Sequence, residues 1–265
     1  MATARVNGID LYYERSGNGP RLVLLNGSGG TLAGSGILLN QFREHFDLLA
    51  HDQRGLGRTG VPEGPYAMAD YAADALALLD DVGWESCRVV GISFGGMVAQ
   101  ELAVTAPHRV ERLALVCTSP GGTGGSSYPL HELADLPGPQ RAAIALRILD
   151  TRFTPEWLAE HPTDQVLADA MASRSAVTLS DDETRGAGLQ LEARRTFDAF
   201  GRLPAITCPT LVASGRFDGI APPANGEAIV ARVPDAELRL YDGGHAFFFQ
   251  DPAAFADLRE FLARP

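Results

Sequence analysis

Apolar positions along the chain follow two rhythms. Short runs rich in Leu and Val, bounded by Gly, Pro or Asp, recur at residues 21–25, 48–51, 87–92, 113–117, 210–214 and 237–241. Runs of that length and composition predict strands covered on both faces. Residues 9–14 instead alternate apolar with polar, as a strand with one wet face does. Between these runs the period lengthens. Ala72, Leu76, Leu79 and Val82 form a helical stripe within 68–82, closed by Gly83 just past its end. A further helix is predicted over 97–105 and stopped by Pro107. Strands alternating with helices predict an α/β domain built on one mostly parallel sheet flanked by helices.

After the run ending at Cys117 the rhythm changes. Residues 120–127 are rich in Gly and Ser, and from there to residue 203 the pattern is helical with no strand signal. Helices are predicted at 139–149, 155–161, 163–172 and 181–200. The chain therefore divides into a core domain, residues 1–125 and 204–265, and an inserted helical cap, or lid, at 126–203. There is no internal repeat.

Composition narrows the choice of function. The chain has 265 residues, 45% of them hydrophobic and 21% charged, enough to bury a sizeable core. Its net charge of −11 would repel phosphate backbones and anionic lipid, so neither nucleic acid nor a membrane is an expected partner. All 22 basic residues are arginines. Without lysine there is no Schiff-base or pyridoxal-phosphate anchor, no P-loop lysine and no Ser-Lys dyad. Cys87, Cys117 and Cys208 are widely spaced, with no CxxC and no neighbouring His cluster, which predicts buried reduced thiols and no metal. The first ten residues lack the apolar core of a signal peptide, and no run approaches the ~18 apolar residues of a membrane span, so the expected location is cytoplasmic.

One segment carries explicit chemistry. Gly91-Ile92-Ser93-Phe94-Gly95 lies where a predicted strand meets a predicted helix. A serine nucleophile on so sharp a turn needs glycine two residues to either side, because side chains there would collide with neighbouring backbone. Its hydroxyl then needs a histidine to take the proton and a carboxylate to orient that histidine. His245, in Asp242-Gly243-Gly244-His245 after the last strand, fits the base, its glycines read as a flexible hinge that swings the ring. An imidazole in an ordinary environment titrates near ~6.5. Asp218, four residues beyond Ser214, fits the acid. The order Ser93, Asp218, His245 is that of a triad on an α/β-hydrolase sheet. Asn26-Gly27-Ser28-Gly29-Gly30 follows an early strand and offers the backbone N–H of Ser28 to a developing oxyanion, with the N–H of Phe94 as the second donor.

Gly55, Gly57 and Gly60 match the spacing of a dinucleotide fingerprint, yet Val61-Pro62-Glu63-Gly64-Pro65 follows in place of a helix, so no phosphate site and no cofactor are expected.

With these segments in place the chain resembles the α/β-hydrolase superfamily, and within it the small bacterial carboxylesterase and 3-oxoadipate enol-lactonase-like group. The resemblance spans nearly the whole length and rests on the Asn26 to Gly30 loop, the run Asp52-Gln53-Arg54-Gly55-Leu56-Gly57-Arg58-Thr59, the Ser93 elbow, the Asp218 loop with Pro222-Pro223, and Gly244-His245. Relatives usually carry His-Gly where this chain has Asn26-Gly27. The resemblance implies an α/β-hydrolase fold and a cofactor-free serine hydrolase acting on a small-molecule ester or lactone. Carbon–carbon bond hydrolysis, perhydrolysis and acyl transfer on the same three residues stay open, as do a non-catalytic small-ligand sensor and a homodimer. Tyr128, His131 and Trp157 are placed in the lid, where they could shape the site, and Phe247 to Phe249 pack the histidine loop onto the core.

Overall fold

The computed structural model describes residues 2–175 and 179–265, so residues 176–178 of the predicted lid lie outside it. The strands are β1 (Ala2–Val6), β2 (Ile9–Ser16), β3 (Arg21–Leu25), β4 (Asp47–His51), β5 (Cys87–Ile92), β6 (Val110–Val116), β7 (Thr210–Gly215) and β8 (Ala236–Tyr241). They form one eight-stranded sheet among the described residues, in the order β1-β2-β4-β3-β5-β6-β7-β8. The pairs β1·β2 and β2·β4 are antiparallel and the rest parallel. Every predicted strand is present. The additional strand β1 joins β2 through Asn7 (φ 44) and Gly8 (φ 79), a left-handed pair that the dipeptide Asn-Gly adopts readily.

Helices cover both faces. On one, α2 (Met68–Asp81) and α3 (Phe94–Thr105) pack Tyr71, Leu78 and Phe94 against Val23, Leu25 and Val89. On the other, α1 (Gly36–Arg43) and α9 (Ala253–Ala263) bring Phe42, Leu258 and Phe261 onto Leu24, Leu48 and Val90. A further helix, α8 (Pro223–Val230), follows β7. The sequence pattern does not single out α1, α8 or α9; α1 and α8 have only eight residues each, and α8 carries Asn225 and Gly226, both weak helix formers.

Between β6 and β7 run α4 (Gly138–Leu149), α5 (Pro155–Glu160), α6 (Pro162–Ser175) and α7 (Asp181–Arg195). Helix α7 is polar along most of its length and begins at a capping box. The Ser180 hydroxyl accepts from the Glu183 N–H at 3.3 Å and Glu183 accepts from the Ser180 N–H at 2.8 Å. The helix ends at Arg195, short of the predicted residue 200, because the chain turns back to the sheet there. Asp198 bridges Gly121, and the Ala199 N–H donates to the Pro120 carbonyl at 2.9 Å. Gly186 lets α7 touch the 52–60 loop, since a Cβ there would run into the Gly55 carbonyl.

A buried ion pair fixes that loop to the scaffold. Arg54 grips Asp74 of α2 through Nε at 2.7 Å and Nη2 at 2.8 Å, and Asn7 Nδ2 donates to the same carboxylate at 3.0 Å. Asp74 is 1% exposed. Removing one partner of a buried pair strands the other charge. Asp74→Ala is therefore expected to lower unfolding free energy by about 3–5 kcal/mol, read as a shift in the urea midpoint. A loss under about 1 kcal/mol would show that the pair behaves as an exposed one.

Candidate active site

The sheet order reverses between β3 and β5, whose carboxyl ends lie side by side with Leu25 opposite Gly91. A crevice opens at such a switch point because the chain leaves the two strands in opposite directions. Into it project the Asn26–Gly30 loop and the turn at Ser93.

Ser93 has φ 53 and ψ −113, well outside the regions that L residues favour. Close packing compels it. A Cβ at Gly91 would meet the Gly95 carbonyl, and one at Gly95 the Leu25 carbonyl, so both flanking positions admit only glycine. The turn is pinned by the Ser93 N–H donating to Val116 O at 2.8 Å and by Thr118 Oγ1 donating to Ser93 O at 2.8 Å. The serine hydroxyl is thereby held at the mouth of helix α3.

His245 reaches it across the crevice. Its Nε2 lies 3.0 Å from Ser93 Oγ and its Nδ1 2.8 Å from Asp218 Oδ2. With the proton on Nδ1, the ring donates to the carboxylate and accepts from the hydroxyl. The other Asp218 oxygen accepts from the N–H groups of Ile220 at 2.7 Å and Ala221 at 2.8 Å, so an Asx turn aims the free oxygen at the ring. The structure thus brings together the three side chains picked out in the sequence.

The glycines before His245 are not a hinge. A Cβ at Gly244 would overlap the Leu149 carbonyl, and one at Gly215 the Gly244 carbonyl, so this loop is wedged between β7 and the end of α4. The His245 N–H donates to Leu149 O at 2.6 Å, the Gly219 N–H to Ile148 O at 3.0 Å and the Thr151 N–H to Phe217 O at 2.9 Å. Gln250 adds its Oε1 as acceptor for the Gly244 N–H at 2.9 Å. Residues 148–151, distant in sequence, therefore hold the loops of both His245 and Asp218.

Facing the serine, Gly27 is so close that a Cβ on it would sit 3.5 Å from Ser93 Cβ. The N–H groups of Ser28 and Phe94 donate to no other group among the described residues. The neighbouring Gly29 N–H is taken by Gln190 Oε1 of α7 at 2.8 Å, and Gln53 Nε2 holds the Asn26 carbonyl at 2.7 Å. Asp52 fixes the surrounding turns by accepting from Leu32 N at 2.6 Å and Arg58 N at 2.9 Å. The run at 52–59 thus buttresses the loop. Asn26 makes a side-chain contact with Ser35 Oγ at 3.4 Å.

A cavity of about 180 Å³ lies at Met97, one turn along α3 from Ser93, and is lined also by Ser119, Ser127, Tyr128, His131 and Arg194; Ser93 and His245 are not among its lining residues. Tyr128 and His131 are among the residues that line it. Trp157 does not line it: its ring stacks on His161 at 3.7 Å. Of the phenylalanines, Phe247 and Phe248 are buried while Phe249 is largely exposed. Thr118, Gln190 and Arg194 escape a reading of the sequence, since none belongs to a local motif and each bonds a group distant along the chain.

The comparisons agree with this architecture. Residues 20–252 match the family described as alpha/beta hydrolase fold. The chain belongs to that family. The "Putative carbamate hydrolase RutD" of Variovorax paradoxus is 33% identical over 266 residues, covering 96% of each chain. The 3-oxoadipate enol-lactonase 2 of Acinetobacter baylyi is 25% identical, covering 96% of this chain and 92% of its own. Among solved structures, the enol-lactonase from Burkholderia xenovorans LB400 superposes with a TM-score of 0.80 at 25% identity, over 99% of this chain and 100% of that one. A hydrolase from Pseudomonas aeruginosa superposes with a TM-score of 0.77 at 29% identity, over 99% of this chain and 98% of that one.

Two effects oppose each other at His245. Burial disfavours the charged ring, and the Asp218 carboxylate favours it; the carboxylate prevails and raises the pKa above the ordinary ~6.5. The cationic form is thus favoured by folding: that contribution to stability is complete below pH ~6.5 and fades as pH rises through the folded-state value. An NMR titration of the His245 ring should accordingly show a midpoint above 6.5, and Asp218→Asn should bring it below. A midpoint unmoved by Asp218→Asn would remove the carboxylate as its cause.

Proposed function

We propose that the protein is a cofactor-free serine hydrolase that cleaves a small-molecule ester or lactone through an acyl-enzyme on Ser93. The observation that carries this reading is the continuous line Asp218–His245–Ser93, at 2.8 and 3.0 Å, beside two unoccupied backbone N–H groups. Neutral His245 accepts the Ser93 proton as Oγ attacks the carbonyl carbon. Asp218 holds the ring and stabilises its positive charge. The N–H groups of Ser28 and Phe94 donate to the oxyanion of the tetrahedral intermediate. Collapse of that intermediate expels the alkoxide, which takes the proton from His245. Water, deprotonated by the same ring, then hydrolyses the acyl-enzyme and frees Ser93.

The segment 126–203 acts as the cap over this site. Because residues 148–151 grip both catalytic loops, it is also part of their support, and replacing the whole segment with a linker removes the Leu149 acceptor of the His245 N–H.

The similarity to the carbamate hydrolase supports a second substrate class. A carbamate presents the same carbonyl to Ser93 and leaves a carbamoyl group on it, so the same residues serve. Esters, lactones and carbamates of graded size, run side by side, choose among them; a ligand sensor would release at most about one product per chain.

A fluorophosphonate should label Ser93 alone, identified by mass spectrometry, and labelling should rise with pH as His245 loses its proton, with a midpoint above 6.5. Asp218→Asn should fold and lose up to ~10⁴-fold in turnover. Ser28→Pro, which removes the N–H, should suppress the reaction where Ser28→Ala does not. A label on Ser119 or Ser126 would place the nucleophile elsewhere.

A further inference from the structure

Two carboxylates of the cap converge on the loop that carries His245. Asp150, just past α4, is fully buried, and Asp164 lies in the first turn of α6. Gly244 is so close to the first that a Cβ on it would sit 2.6 Å from Asp150 Cβ. Between both acids and the loop stands Gln250. Its Nε2 donates to Asp150 Oδ2 at 3.0 Å and to Asp164 Oδ1 at 3.1 Å, while its Oε1 accepts from the Gly244 N–H at 2.9 Å. One amide thus joins two acids of the cap to the backbone next to the imidazole.

The acids are themselves fixed. Arg152 holds Asp150 through Nε at 3.0 Å and Nη2 at 2.7 Å, and its Nη1 donates to Asp242 at 2.9 Å. The second oxygen of Asp164 accepts from Trp157 Nε1 at 2.8 Å, and His161 stacks on that indole at 3.7 Å. Asp251, next to Gln250, is taken by the Asp242 N–H at 3.0 Å.

An amide suits this place. The Gly244 N–H requires an acceptor and the two carboxylates require a donor, and glutamine carries one of each on a single rigid group. A glutamate would keep the first bond and set a third carboxylate about 3 Å from the other two, so it would ionise only well above the ordinary ~4.3. An apolar side chain would satisfy none of the three groups. The loop held in this way carries a ring whose Nε2 must stay near 3.0 Å from Ser93 Oγ. A displacement of about 1 Å at a reacting group can cost on the order of 100-fold in rate.

We propose that Gln250 is a positioning residue for His245, its amide set by Asp150 and Asp164 so that the cap decides where the imidazole stands. It acts through the backbone at Gly244. The expected effect on rate rests on the serine-hydrolase reading; the effect on the ring rests on the bonds of Gln250 alone.

The test follows p-nitrophenyl acetate hydrolysis across pH by Q250L, Q250E and Q250E combined with D164N, with the folded fraction read by circular dichroism at each pH. Q250L should lower kcat about 10–100-fold and leave KM within about 2-fold, the mark of lost alignment. In Q250E the ratio of its kcat to that of wild type should fall as pH rises, because the introduced carboxyl can donate to the cap acids only while protonated. In the double variant the polarity is reversed: the introduced amide at 164 accepts from the Trp157 indole and donates to the carboxylate at 250, so the ratio should lose most of its pH dependence. Independently of turnover, the Trp157 indole N–H resonance, assigned by its loss in W157F, should titrate in Q250E with the midpoint of that ratio. The inference is overturned if Q250L leaves kcat within about 2-fold of wild type, if the Q250E ratio is flat, if the double variant keeps the full pH dependence, or if kcat merely follows the folded fraction. Should Q250L fail to fold, Q250E and the double variant decide in its place. Absence of both ester turnover and fluorophosphonate labelling would sink the serine-hydrolase reading instead. The NMR midpoint of the His245 ring would then still decide the role of Gln250, since Q250L should move it down as the ring loses part of its bond to Asp218.

Discussion

The geometry of the site follows from the absence of side chains at two positions. Gly91 and Gly95 allow β3, β5 and α3 to meet at backbone contact, and that approach forces Ser93 into a left-handed turn at the end of β5. The strain is local, but the scaffold holding it is not: the turn is tied to β6 through Val116 and Thr118, and it sits where the strand order reverses. A rigid sheet edge supplies what a catalytic hydroxyl requires, a fixed position that costs no reorganisation when charge develops.

Rigidity also describes the other half of the site. Glycines next to His245 invite a reading as a hinge, yet Gly244 and Gly215 are small because backbone lies against them. Residues 148–151 of the helical segment supply acceptors and donors to the loops of Asp218 and His245. The same segment reaches the opposite wall through Gln190, whose amide oxygen takes the Gly29 N–H. Insertion and sheet are thus joined on both sides of the serine. A change far from the triad, in α4 or α7, can alter its alignment through these bonds.

Electrostatics in this crevice are asymmetric. The Asp218 carboxylate is fully engaged, with two amide donors on one oxygen and the imidazole on the other. On α7, Arg194 is hydrogen-bonded through only one of its nitrogens among the described residues. Low local dielectric strengthens the satisfied group and makes the unsatisfied one costly. The first fixes the orientation of the imidazole.

The strands, the glycine-flanked serine and the order Ser93, Asp218, His245 were legible in the sequence because each depends on neighbours a few residues away: alternation, strand-to-helix turns and glycine spacing are local constraints. The hairpin at Asn7-Gly8 was equally local, though the short strand before it carries a weak pattern. Helices α1 and α8 were not legible, since with eight residues each and several weak helix formers their helical state depends on packing against the sheet. The ties from 148–151, the contact of Gln190 with Gly29 and the burial of Arg194 belong to tertiary structure alone. Nothing in a run of residues tells which arginine will be buried with no acid against it, as Arg194 is among the described residues; that depends on which surfaces the fold brings face to face, and burial is a property of the assembled chain.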